Sequence, residues 1–183
     1  MIQPWPTVRS SSLGDFRIFQ IRGDVKRSPI TGREHDFVII ECANWVNVIA
    51  ATSDDQLVMV EQYRHGSDTV ELEIPGGVME ANDPSPEDAG RRELREETGY
   101  DGDSTTIIGK VFSNPAIMNN TCFTVFVRNC TLNHATNFDH TEDLVTRLVP
   151  IAEIPELVTT GRIRHSLAVT ALYHFELWRR PGN

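Results

Sequence analysis

Residues 75–100 read PGGVMEANDPSPEDAGRRELREETGY, and this stretch decides how the middle of the chain folds. Ser85 is a good N-cap and Pro86 suits the first helical position, so the sequence predicts that a helix begins here. Asp88 stands at the third helical position, where its carboxylate can return the capping hydrogen bond. Gly99 is suited to a left-handed C-cap. The stretch therefore predicts a well-delimited helix that follows a glycine-rich loop.

The predicted helix carries two glutamates, Glu93 and Glu97, one turn apart. Positions four apart lie ~40° apart around a helix, so these carboxylates form a stripe beside Leu94, which must face the core. They repel each other, at a cost that rises with burial unless a cation lies between them. Oxygen ligands suit Mg²⁺ or Mn²⁺, and Arg92 can hold Glu96 by a charge-assisted hydrogen bond. The charge pattern alone leaves an ordinary solvated, salt-bridged helix as the alternative.

The composition predicts a folded protein and argues against two classes of partner. The chain has 183 residues, of which 39% are apolar and 23% charged, as expected for one globular domain. Its net charge of −9 argues against nucleic acid or an anionic membrane as the main partner. Cys42, Cys122 and Cys130 show no C-x-x-C spacing, and no signal peptide or membrane span is visible. We therefore expect a cytoplasmic protein.

The order of predicted elements indicates the fold class. The predicted strands are 15–27, 36–42, 45–51, 56–64, 70–74, 107–113, 122–128 and 144–149. A short helix begins at Pro155, and a last helix over about 166–179 carries an apolar stripe that is typical of a core face. One charged helix thus lies among many strands and two helices close the chain. This order predicts an α+β fold with a mixed sheet rather than a doubly wound one.

The loop and helix together resemble the Nudix box, written G-x5-E-x7-R-E-U-x-E-E-x-G-U with U apolar. Residues 92–100, RELREETGY, fit its second half when Tyr100 counts as apolar. One inserted residue separates this half from Gly77, so that Asp83 takes the position of the first glutamate. The resemblance to the Nudix hydrolase superfamily implies an α/β/α sandwich around a mixed sheet. It places an N-terminal β extension over residues 1–44 and the hydrolase domain over residues 45–183.

Features outside the box resemble the ADP-ribose pyrophosphatase branch of that superfamily. Residues 60–64, VEQYR, resemble a strand whose arginine, here Arg64, binds substrate phosphate. Residues 71–77, ELEIPGG, resemble the branch's approach to the box. Pro115 lies near the position of a substrate-site marker proline, although its neighbours Asn114 and Ala116 depart from the usual Ser-Pro-Gly. In this branch the N-terminal segment often contributes to a dimer, so a homodimer through residues 1–44 is a hypothesis.

The resemblance also implies residue roles and a reaction. The metal ligands would be Gly76, Glu93, Glu96 and Glu97, holding Mg²⁺ or alternatively Mn²⁺. Arg92 and Glu96 would belong to the catalytic machinery, since Arg92 orients Glu96. The implied reaction is hydrolysis of the pyrophosphate bond of a nucleoside diphosphate linked to another moiety, with ADP-ribose giving AMP and ribose 5-phosphate. A GDP-mannose-like nucleotide-sugar as substrate, or a domain that binds nucleotide-sugars without turnover, are the alternatives.

The general base is expected outside the helix, on a late loop. Residues 137–143 read NFDHTED, and Glu142 aligns best with the late-loop glutamate of the branch. Glu142 is therefore the candidate base, with a role as metal ligand as the alternative. Asp139 and His140 are its rivals as base.

Overall fold

The computed structural model describes residues 1–138 and 143–180, in two compact units. One unit combines Met1–Asn44 with Phe112–Thr121, and the larger one combines Trp45–Val111 with Cys122–Asn183. The assignment of domains as 1–44 and 45–183 stays a prediction. Within the described ranges, none of the helices has the length and the apolar character that crossing a membrane requires.

The N-terminal unit contains a three-stranded antiparallel sheet. Its strands are β1 (Thr7–Asp15), β2 (Gln20–Arg27) and β3 (Glu34–Glu41), in the order β1-β2-β3. The sequence predicted the hairpin of β2 and β3 but merged the start of β2 with residues 15–19. The chain instead turns there, with Arg17 at a φ of 71°. The sequence did not predict β1, because that strand is rich in serine and exposed along most of its length.

The larger unit is built on a seven-stranded mixed sheet, which confirms the predicted α+β class. The remaining strands of the chain are β4 (Trp45–Ala51), β5 (Gln56–Arg64), β6 (Thr69–Glu73), β7 (Gly76–Val78), β8 (Tyr100–Asp101), β9 (Ser104–Phe112), β10 (Thr121–Arg128), β11 (Thr131–Leu132) and β12 (Leu144–Pro150). The sheet order is β12-β5-β4-β10-β9, with β6 on β5 and β7 on β4, while β8 and β11 form a separate pair. Strands β4 and β10 are parallel, whereas β5 runs antiparallel to β4 and β12.

Helices cover both faces of this sheet. The helices are α1 (Pro86–Thr98), α2 (Ile154–Thr159) and α3 (Ser166–Trp178). Successive residues of a strand point to opposite faces, and β4 shows the result. Val48 and Ala50 share a buried cluster with Leu94 of α1, whereas Ile49 shares another with Leu172 of α3. The predicted α/β/α sandwich is therefore confirmed.

Helix α1 begins and ends where its caps predict. The Ser85 hydroxyl accepts a hydrogen bond from the backbone N–H of Asp88 at 3.1 Å and donates to its carboxylate at 2.7 Å. Gly99 adopts a φ of 73°, and its N–H donates to the carbonyl of Arg95 at 2.9 Å. The Asp88 carboxylate thus accepts from the cap side chain, whereas the capping box expected it to accept from the cap backbone.

A buried aspartate fixes the C-terminal half of α1. Asp101 of β8 accepts hydrogen bonds from Arg91 Nε at 2.7 Å and from Arg95 Nη2 at 2.6 Å, and His134 Nε2 lies 3.7 Å away. Burial alone raises the pKa of this carboxyl, but the two arginines outweigh burial and lower the pKa to about 2. The carboxylate is therefore more stable in the folded chain than in the unfolded one.

This pairing predicts an acid-dependent loss of stability. The pKa of Asp101 falls from an ordinary value of 3.8 to about 2, so its contribution is complete above the ordinary value. It is lost as the pH falls through that interval. We expect Asp101→Asn to lower the free energy of unfolding at pH 7 by roughly 1–3 kcal/mol and to flatten its decline between pH 4 and 2.

Urea unfolding at several pH values measures both effects. Asp103→Asn is the control, because that carboxylate accepts a hydrogen bond from the neutral amide of Asn129. A full acid slope in Asp101→Asn would contradict the assignment.

Candidate active site

The glycine-rich loop is pressed against β4 on one side and linked to α1 on the other. Gly76 has a φ of 157°, and a Cβ placed on it would lie 2.3 Å from the carbonyl oxygen of Val46. Only glycine fits here without moving backbone. The Gly76 N–H donates to Glu97 Oε2 at 3.0 Å. The loop backbone is therefore fixed directly beside a helix carboxylate.

The next glycine lies equally close to the second glutamate of the stripe. A Cβ on Gly77 would lie 2.6 Å from Glu93 Oε1, so the missing side chain leaves room for that carboxylate. Glu93 is 8% exposed and Glu97 is 3% exposed. The structure thus brings together Gly76, Glu93 and Glu97. Both glutamates are more buried than their predicted position beside the core-facing Leu94 suggested.

One guanidinium group ties the loop to the helix. Arg92 donates to both carboxylate oxygens of Asp83 at 3.1 and 2.9 Å and to the carbonyl of Val78 at 3.0 Å. Its Nη1 donates to Glu93 and to Glu96, each at 2.9 Å. The hydrogen bond from Arg92 lowers the pKa of Asp83. The same bond is the largest of the effects that raise the pKa of Arg92. Asp83, at the altered position of the box, therefore braces the loop through Arg92.

The metal ligands predicted from sequence are all oxygen atoms, the type that hard divalent cations prefer. They are carboxylate oxygens of Glu93, Glu96 and Glu97 and the backbone of Gly76, with no nitrogen or sulfur ligand among them. Over the described part of the chain, no three His, Cys, Asp or Glu side chains converge closely enough to hold a metal ion. The donor type therefore suits a divalent cation, while a nitrogen of Arg92 bridges two of the carboxylates, Glu93 and Glu96, in this arrangement.

Arg64, the predicted phosphate ligand, ends β5 and pairs with a buried carboxylate of β6. Its Nε and Nη2 donate to the two oxygens of Glu73 at 2.8 and 2.9 Å. His165 Nδ1 lies 2.5 Å from the same carboxylate. Burial raises the pKa of Glu73, but His165 and Arg64 outweigh burial and lower it to about 2. Glu73 is therefore ionised at neutral pH.

The other predicted site residues lie elsewhere in the chain. Pro115 belongs to the N-terminal unit, in a turn where the carbonyl of Asn114 accepts from the N–H of Met118 at 2.7 Å. Glu142, with its rivals Asp139 and His140, lies outside the described residues. The roles of Pro115 and Glu142 stay predictions.

Sequence reasoning missed a set of ion pairs around β6. Glu71 and Glu73 are both buried, and they pair with the consecutive residues Arg164 and His165. One signal was available, because carboxylates two apart on a strand share a face and buried charges require partners. The sequence did not show which residues are the partners, because Arg164 lies 93 residues from Glu71.

The chain is similar to known proteins in both sequence and fold. The NUDIX domain family matches residues 43–170. An ADP-ribose pyrophosphatase of Mycobacterium tuberculosis (strain ATCC 25618 / H37Rv) is 26% identical over 170 residues, covering 91% of this chain and 80% of that protein. An ADP-ribose pyrophosphatase of Bacillus subtilis (strain 168) is 25% identical over 140 residues, covering 76% of this chain and 75% of that protein. The crystal structure of an ADP compounds hydrolase shares the fold, with a TM-score of 0.85 at 20% identity over 97% of this chain and 95% of that one.

The fit of Gly76 against β4 predicts that alanine destabilises the protein far more at position 76 than at position 66. Gly76→Ala places a Cβ against the Val46 carbonyl, whereas a Cβ on Gly66 meets nothing within 4 Å. We expect Gly76→Ala to reduce the free energy of unfolding by about 2 kcal/mol or more. Gly66→Ala should change it by less than about 1 kcal/mol. Urea unfolding of both variants measures the difference, and equal effects would show that the loop is not held as described.

Proposed function

Because this chain belongs to the NUDIX family, we infer that it is a hydrolase of pyrophosphate bonds, and we propose that it acts on a nucleoside diphosphate joined to a second group. The observation that carries the proposal is the cluster on α1. There two buried glutamates lie against a glycine loop, and one arginine braces both elements. This arrangement presents oxygen donors that suit a cation able to bind phosphates.

ADP-ribose is the substrate we propose, with AMP and ribose 5-phosphate as products. The support is the residue pattern around Arg64 and residues 71–77, together with two relatives that are named ADP-ribose pyrophosphatases. The alternatives from sequence, a GDP-mannose-like substrate or binding without turnover, are outcomes of the test below.

The charge of the protein explains why cationic groups are required at the site. A pyrophosphate is anionic, and the chain has a net charge of −9. Mg²⁺, with Mn²⁺ as the alternative, would be held by Glu93, Glu96, Glu97 and the Gly76 carbonyl, and it supplies neutralisation of phosphate charge and an acidified water. Arg64 binds a phosphate oxygen, and Arg92 keeps Glu96 oriented.

The reaction breaks one bond of the phosphate bridge. The oxygen of a water molecule bonds to one phosphorus while that phosphorus separates from the bridging oxygen, which leaves with the other phosphate. A base accepts the proton of the water. We propose Glu142 as this base, with Asp139 and His140 as its rivals, and a role of Glu142 as metal ligand as the alternative.

Three further predictions concern the whole molecule. We propose that the partner is a small molecule rather than nucleic acid or membrane, that the protein is cytoplasmic, and that residues 1–44 mediate a homodimer. Light scattering at micromolar concentration tests the dimer, and a monomeric mass would contradict it.

A substrate panel tests the proposed function. Wild-type protein with Mg²⁺ is offered ADP-ribose, GDP-mannose, FAD, NADH and deoxynucleoside triphosphates, and the products are identified by mass spectrometry. We expect the highest kcat/KM for ADP-ribose, with AMP and ribose 5-phosphate as products. A preference for GDP-mannose would replace the substrate, and binding without any turnover would replace the enzyme by a sensor.

Glu97→Gln tests the role of the cluster. Glutamine can still accept the hydrogen bond from Gly76, but it lacks the charge that a cation requires. We expect kcat to fall on the order of 10²–10³-fold, the loss typical when one group that stabilises transition-state charge is removed. Circular dichroism and urea unfolding should show an intact fold.

Glu87→Gln is the matched control for that variant, because Glu87 lies in the first turn of the same helix and outside residues 92–100. It should keep wild-type turnover. Near-wild-type turnover by a folded Glu97→Gln protein would refute the metal assignment.

A further inference from the structure

Two carboxylates of β6 anchor the segment that leads into α3. Glu71 is 5% exposed and Glu73 is 2% exposed, and both point to the same face of the strand. Arg164 donates to Glu71 from Nε at 3.0 Å and from Nη2 at 2.8 Å. His165, the residue before α3, approaches Glu73 through Nδ1. The two pairs are therefore neighbours, and each joins a buried carboxylate of β6 to a side chain just before α3.

Only one of the two carboxylates, that of Glu73, also receives Arg64. Glu73 receives two hydrogen bonds from Arg64 in addition to its contact with His165. Glu71 instead accepts a hydrogen bond from the hydroxyl of Thr69 in addition to those from Arg164. Glu73 thus connects Arg64 of β5 with the start of α3, and Glu71 does not.

The pairing with Glu73 restricts how Arg64 presents its charge. A bidentate bond to a carboxylate fixes both the position and the plane of a guanidinium group. Glu73 is held in turn by His165, so it cannot turn freely. The side chain of Arg64 is 41% exposed, so a fixed cation is presented to solutes. A group ordered before binding loses less conformational entropy when its ligand arrives.

We propose that Glu73 and His165 are positioning residues that hold Arg64 in the orientation in which it binds a substrate phosphate. The inference rests on the proposed function, which gives Arg64 that phosphate. Glu73 acts through Arg64 and does not touch the substrate. His165 acts through Glu73 by fixing its carboxylate. The Glu71–Arg164 pair stabilises the same segment without contributing to substrate binding.

The experiment compares Glu73→Gln with Glu71→Gln in the presence of Mg²⁺. We expect Glu73→Gln to raise KM for the panel's best substrate about tenfold while kcat stays within about twofold. Glu71→Gln should leave KM within about twofold, although both variants lose a buried ion pair. Their melting temperatures, measured in parallel, show whether the two losses of stability are comparable.

A double-mutant cycle with Arg64→Ala separates positioning from a merely structural role. If Glu73 acts through Arg64, Glu73→Gln should raise KM no further in the Arg64→Ala background, since the group it orients is already absent. His165→Ala should raise KM in the same direction as Glu73→Gln. Glu73→Asp, which keeps the charge, should recover part of the lost affinity.

Three results would overturn the inference. They are a wild-type KM in Glu73→Gln, an equal rise of KM in Glu71→Gln, or additive effects of Glu73→Gln and Arg64→Ala. Each of these leaves the proposed function intact, because turnover continues. If the wild-type chain hydrolyses no diphosphate of the panel, the proposed function itself fails, and the phosphate role of Arg64 fails with it.

Discussion

The candidate site depends on the guanidinium group of Arg92. It contacts Asp83 and the carbonyl of Val78 in the loop, and Glu93 and Glu96 on the helix. Without that positive charge, carboxylates of loop and helix would repel one another across a short distance. The planar shape of the group matters as much as its charge, because five donors in a fixed fork can serve several acceptors at once. A lysine at position 92 could not hold loop and helix in the same way.

The same principle recurs at two other buried acids of the chain. Asp101 receives Arg91 and Arg95, and Glu73 receives Arg64 and His165. In both cases the cations outweigh the effect of burial on the pKa and keep the carboxylate ionised. Removing one partner from such a group leaves a charge without compensation, which costs more than the pair contributes. At these two sites a buried carboxylate is therefore accommodated by two basic side chains placed against it.

The ends of α1 could be predicted from sequence, whereas the ion pairs between distant residues could not. Ser85 and Gly99 fix the ends of α1 through contacts with near neighbours, so the helix was predicted correctly. The apolar runs of β4 and β5, separated by the turn at residues 53–55, likewise predicted their bounds. Strand β1 escaped because its serines carry no apolar pattern. The pairing of Glu71 with Arg164 was not predicted because the two residues are 93 positions apart. Residue spacing carries no information on contacts at that separation.

The parallel pairing of β4 with β10 has a consequence for synthesis on the ribosome. Trp45 pairs with Cys122 and Val48 with Val125. One edge of β4 therefore stays unpaired until β10, which begins about seventy residues after β4 ends, has been synthesised. Until then its amides and carbonyls form an open edge with an apolar sequence, which another nascent chain can extend. Helix α1 is made in this interval, and by packing on β4 through Leu94 it shields one face of the waiting strand. Helix α1 would thus cover one apolar face of β4 before the edge of that strand is paired.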